Sequence, residues 1–106
     1  MVLPIPAPVS RAITKLGADI SRARRRRRLS QASFAERIGV SIGTVKRLEQ
    51  GDPRVALETV ARALYLLGEI ERLAALLDTR EDSLGLTLMD EQLPIRVRAR
   101  KRTGAM

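Results

Sequence analysis

The stretch from Gln31 to Gln50, QASFAERIGVSIGTVKRLEQ, constrains the fold more than any other part of the chain. Ser30, just before it, offers a hydroxyl to an orphan backbone N–H and so suits a helix N-cap. Phe34, Ala35 and Ile38 share one face at i, i+1, i+4 spacing. Gly39 stops that helix, because glycine takes the left-handed conformation of a C′ position. Ser41 caps a second helix in which Val45 and Leu48 point inward, and Gly51 ends it. Two short helices must therefore turn tightly onto each other, with the small Ala35 where they cross.

Two helices joined by a short turn containing Gly make a helix-turn-helix, whose second helix enters the DNA major groove. A generic helical hairpin shares that outline. Ala35, Gly39 four residues later, and Val45 and Leu48 ten and thirteen residues later favour the DNA-binding form. The exposed side of the second helix carries Ser41, Ile42, Gly43, Thr44, Lys46 and Arg47.

Of 106 residues, 44% are hydrophobic, yet Phe34 and Tyr65 are the only aromatics. One modest aliphatic core is expected, which suits helices. The chain has no cysteine and no histidine. Disulfides, Cys nucleophiles, His general bases and the usual Cys or His metal ligands are thereby excluded. No constellation of carboxylates, Lys or Ser suggests an enzyme, and no cofactor is implied. The apolar start, Met1 to Val9, contains three prolines and no basic flank, unlike a signal peptide. No apolar run reaches membrane-spanning length. A cytoplasmic, nucleoid-associated location fits.

The net charge of +8 is unevenly placed. Residues 1–68 carry a net +8, residues 69–91 a net −5 and residues 92–106 a net +5. The basic body attracts polyanions. The acidic stretch faces a different partner or the basic tail.

Met1 to Val9 reads as an irregular arm, and Ser10 as the cap of a helix running to about Arg27. Ile13, Leu16, Ile20 and Ala23 form its apolar stripe. Gly17 weakens it by roughly 1 kcal/mol relative to Ala, or marks a break or a close helix contact. Arg22 and Arg24 to Arg28 place six arginines in seven positions. Such a run wraps more than one turn, so one member must face inward. Arg24 continues the stripe and needs a partner to be buried. Arg25, Arg26 and Arg28 are expected near DNA phosphates. Leu29 plugs the gap before the motif.

Beyond Asp52-Pro53, a loop, a fourth helix is expected from about Ala56 to Leu67, with Leu57, Val60, Ala61, Leu64 and Leu67 inside. A fifth spans Glu69 to Leu77, with Ile70, Leu73, Ala74, Leu76 and Leu77 completing the core or forming a two-fold interface. From Asp78 to Glu91 the pattern is weak, with leucines in acidic surroundings. In Ile95 to Arg100 apolar and basic residues alternate, so the tail is a short strand or flexible. The fold class is thus all-α: a compact bundle of about five short helices with a helix-turn-helix, plus a flexible or short-strand C-terminal tail. The organisation is an arm at 1–9, a DNA-binding domain at 10–77 and an extension at 78–106.

LGADISRARRRRRLSQASFAERIGVSIGTVKRLEQG resembles the domain of lambdoid phage repressors and Xre-type bacterial regulators. The pattern L-S-Q-x-x-x-A-x-x-x-G-V-S at Leu29 to Ser41, followed by L-E-x-G at Leu48 to Gly51, carries the likeness over roughly Leu16 to Leu67. The resemblance implies a fold of four or five helices. It implies that Gln31 binds DNA phosphate and that Ser41, Ile42 and Gly43 face base edges. Thr44, Lys46 and Arg47 then reach bases or phosphates, and Arg24 and Glu49 form a buried ion pair. The chain departs from many phage repressors by having Ile42 and Gly43 where they carry glutamines, so a bidentate Gln–adenine contact is missing there. Ile42 is left to touch a thymine methyl, and Lys46 or Arg47 to read guanine.

The whole chain resembles HipB-like antitoxins, through its proline-containing arm, GDP-R-V after the motif and LP-x-R-V-R in the tail. That likeness implies a repressor of its own operon that also holds a HipA-like kinase toxin inactive. The alternatives are a stand-alone Xre-family regulator without a toxin partner, and a protein-interaction module whose basic surface is incidental. The expected partners are double-stranded DNA with a palindromic operator, a second copy of the chain, and the kinase toxin.

Overall fold

Proline decides where the first helix begins. A computed structural model of the chain describes residues 3–78 and 84–97. Its first helix, α1, spans Ala7–Arg26 with Pro8 in the first turn, where the amide hydrogen that proline lacks would have had no acceptor. The irregular arm expected over 1–9 is therefore shorter, and Ser10 lies inside the helix rather than capping it. α2 is Gln31–Ile38, α3 Ile42–Glu49, α4 Leu57–Leu66, α5 Ile70–Ala74 and α6 Leu84–Glu91. The described residues are all-helical, without a strand. Ile95 and Val97, expected in a short strand or a flexible tail, lie in irregular, exposed chain. Arg98, Ala99 and Arg100 lie outside the described residues. The chain divides into two compact units, Met1–Leu76 and Leu77–Met106.

In the first unit the core is aliphatic around one ring. Phe34, Val45 and Ala63 are fully buried, with Ile20, Ala35, Ile38, Leu48 and Leu67 around them. Ser30 Oγ accepts the Ser33 N–H at 3.0 Å and Ser41 Oγ the Thr44 N–H at 3.1 Å, capping α2 and α3. α2 packs on α3 and α4, and α1 on α3. Leu29 is half-buried against the core.

Two expected stripes are rotated. In α1 the buried line is Gly17, Ile20 and Arg24, while Leu16 is 38% exposed. Gly17 does not break the helix. A Cβ there would strike the Leu48 carbonyl oxygen and lie 2.9 Å from that of Glu49, so the missing side chain is what lets α1 and α3 touch backbone to backbone. In α4 the buried face is Thr59, Ala63 and, just past the helix, Leu67. Leu57 is 70% exposed, and Val60 is only half-buried. α4 is apolar on most sides, so its leucines do not reveal which face is inside. The small Ala63 takes the position nearest the core.

α5 is shorter than expected and buries no residue fully. Leu76 and Leu77 beyond it are exposed. Ile13 and Leu16 of α1, Val60 and Leu64 of α4, and Leu73 and Leu76 line a shared apolar groove. The second unit, described by itself, contains α6, which the weak pattern over 78–91 did not indicate. Leu88 and Met89 on it are exposed, as is Leu93 after it.

Candidate nucleic-acid interface

The arginine run is divided by the helix that carries it. Successive residues of α1 point about 100° apart, and the helix ends at Arg26 with Arg27 and Arg28 in its closing turn, so the five consecutive guanidinium groups cannot share a role. Arg24 turns inward: its Nε donates to Glu49 Oε2 at 2.7 Å, its Nη2 to Glu49 Oε1 at 3.1 Å and its Nη1 to the Leu29 carbonyl at 2.7 Å. Its side chain is 10% exposed and that of Glu49 is 6% exposed. Gln31 Nε2 donates to the same Glu49 Oε1 at 3.0 Å. Burial alone pushes the Glu49 carboxyl up. The hydrogen bonds from Arg24 and Gln31, the Arg24 charge and a hydrogen bond from Ser21 outweigh it and hold the group below its ordinary 4.5.

This triad joins the end of α1, the start of α2 and the end of α3. Gln31 Nε2 keeps a second N–H, since only one of its two is used by Glu49.

Arg25, Arg26 and Arg28 are exposed at the end of α1 and in the turn before α2. Arg25 Nε reaches only its own helix, at the Ser21 carbonyl 3.4 Å away. Arg28 has φ 56°, the only described non-glycine residue with positive φ. Its N–H bonds to Arg25 O and that of Leu29 to Arg24 O, a Schellman closure of α1.

On α3 the buried Val45 and Leu48 anchor the inner face. Ser41, Ile42, Lys46 and Arg47 are exposed on the other side, with Gly43 and Thr44 half-buried between them. All six residues expected to read bases thus sit on or beside one exposed helix face. Arg47 Nη2 donates to Thr44 Oγ1 at 3.0 Å, and Thr44 Oγ1 lies 2.9 Å from Ser41 Oγ. Helix amide groups, two hydroxyls and several cations together present donors and positive charge to an anionic groove.

A helix-turn-helix domain family matches residues 15–86. The chain belongs to that family. The match covers both helices of the motif and the whole core of the first unit, and makes this chain a DNA-binding regulator. No curated protein and no solved structure matches the chain. Among the described residues, no helix of this helix-turn-helix protein is long and apolar enough to cross a membrane.

Two arginines have structural tasks that the sequence reading did not assign. Arg27 Nη2 donates to the Leu67 carbonyl at 2.8 Å and Nη1 to Ala23 O at 2.9 Å, tying the end of α1 to the end of α4. Arg62 Nη1 donates to Ile38 O at 3.1 Å and its Nη2 to Glu58 at 3.2 Å, so α4 closes the C-terminus of α2. The only signal for Arg62 in sequence was Glu58 four residues before it. For Arg27 there was none, because its acceptor is a backbone carbonyl forty residues away.

Proposed function

We propose that the chain is a sequence-specific transcriptional repressor that binds a palindromic operator as a homodimer. The carrying observation is the face of α3: Ser41, Ile42, Lys46 and Arg47 are exposed on a helix whose opposite side is locked into the core. Arg25, Arg26 and Arg28, exposed just before α2, supply the salt-dependent, sequence-independent part of the affinity. Two copies of α3 related by a two-fold axis would enter successive major grooves about 34–36 Å apart. The groove lined by Leu16, Leu64, Leu73 and Leu76 suits a second copy, since its rim carries both signs, Asp19 and Glu69 beside Arg22 and Arg72.

The test is footprinting of the DNA upstream of the protein's own gene. Two protected half-sites one helical turn apart are expected, and Lys46→Ala and Arg47→Ala should weaken both. Affinity unchanged in both variants would remove α3 from the role of recognition helix.

A second reading rests on the other unit. Leu88, Met89 and Leu93 are exposed beside the acidic Asp90 and Glu91, an apolar and acidic surface of the kind that meets a protein partner. Together with the HipB-like pattern, this supports an antitoxin that also holds a kinase toxin. Co-expression with a neighbouring kinase-like gene should yield a complex, and Leu88→Asp with Met89→Asp should abolish it while DNA binding persists. A stand-alone regulator would form no complex.

A further inference from the structure

Arg47 is already oriented in the absence of DNA. Its Nη2 donates to Thr44 Oγ1 at 3.0 Å, Thr44 Oγ1 lies 2.9 Å from Ser41 Oγ, and Ser41 Oγ accepts the Thr44 N–H at 3.1 Å. Asp52, which lines the same surface pocket as Arg47, is held by Arg54, whose Nε and Nη2 each donate to it at 3.1 Å.

The protons can be counted. The two hydroxyls share one hydrogen bond, so one O–H is used and the other stays available, whichever of the two donates. The guanidinium uses one N–H on Thr44 and keeps the rest. At the start of α3 the guanidinium donors therefore outnumber the single hydroxyl lone pair left open.

We propose that Ser41, Thr44 and Arg47 form a prebuilt donor cluster that reads a guanine in the major groove, with Arg47 touching the base and Thr44 positioning it. This rests on the DNA-binding role proposed above. Guanine shows two adjacent acceptors, O6 and N7, in that groove. Adenine sets a donor beside N7, and cytosine shows a donor. The Arg47 guanidinium only donates, so it meets both acceptors of guanine and pairs less well with the others. Lys46, next to Arg47, is a point charge without a planar fork. Fixing the guanidinium before binding also lowers the rotamer entropy lost on contact.

The experiment selects sites for the full chain from a random duplex library, then titrates the selected duplex against one with the guanine replaced by adenine. The unmodified chain should prefer guanine by about tenfold or more. Arg47→Ala should bring that ratio close to one. Thr44→Val keeps the side-chain shape but removes the acceptor, and should lower the ratio several-fold with the thermal midpoint and salt slope unchanged. Thr44→Ser should restore it. A selected site whose guanine preference survives Thr44→Val, or follows Lys46 instead of Arg47, overturns the cluster but leaves DNA binding intact. If no sequence is enriched, the DNA-binding role and the cluster fall together.

Discussion

Arg24 and Glu49, twenty-five positions apart in sequence, form a bidentate, nearly dry ion pair with Nε 2.7 Å from Oε2. The pair closes α1 onto α3 and takes Gln31 as a third member. Removing one partner leaves the other buried and uncompensated. Glu49→Ala should therefore destabilise the fold by about 3–5 kcal/mol in urea denaturation. A change below about 1 kcal/mol would mean that water reaches the pair.

The same carboxylate sets a pH dependence. Its folded-state pKa lies below the ordinary 4.5, so its contribution is fully present above that value. It is lost as pH falls through the depressed folded-state value. Thermal midpoints of the unmodified chain should drop on acidification below about 4.5, and Glu49→Gln should flatten that drop.

Gly17→Ala tests the backbone contact between α1 and α3. Alanine is the better helix former by about 1 kcal/mol. Its Cβ would still collide with the Leu48 carbonyl oxygen and crowd Glu49 O at 2.9 Å. A net loss of about 1–3 kcal/mol is expected. A more stable variant would show that the two helices separate easily.

Arg28→Gly should uncouple stability from DNA affinity. The closures of α2, α3 and α4 place Gly39, Gly51 and Gly68 at the left-handed position, whereas that of α1 places Arg28 there. Glycine should relieve roughly 1 kcal/mol of backbone strain and raise the thermal midpoint. If Arg28 meets a phosphate, the variant should also weaken DNA binding and lower the salt slope by about one. Unchanged binding would leave the strain without a function.

Leu76→Asp tests the proposed two-fold interface without touching the core. Leu76 is 73% exposed, so the fold should be unaffected while sedimentation shows the dimer shift to monomer. A dimer unchanged at micromolar concentration would place the interface elsewhere.

Local chemistry made much of this molecule legible in advance. The caps Ser30 and Ser41, the stop at Gly39 and the inward residues Phe34, Ala35, Ile38, Val45 and Leu48 are all decided within about four positions in the chain. Arg24 was legible for the same reason, because it falls one turn after Ile20 on the inner line of α1.

Other features depended on what lay opposite. Leucines cover α4 on several sides, so only packing against α2 could make Thr59 and Ala63 its inner face and leave Leu57 in solvent. Arg27 and Arg62 take backbone carbonyls of distant helix ends, and a carbonyl carries no sequence signature. The sequence by itself determined the two helices of the motif and the cations around them, since caps, glycines and short-period burial act locally. The tertiary structure alone decided that Arg27 and Arg62 also hold helix ends together, because that depends on which helix end lies within a guanidinium's reach.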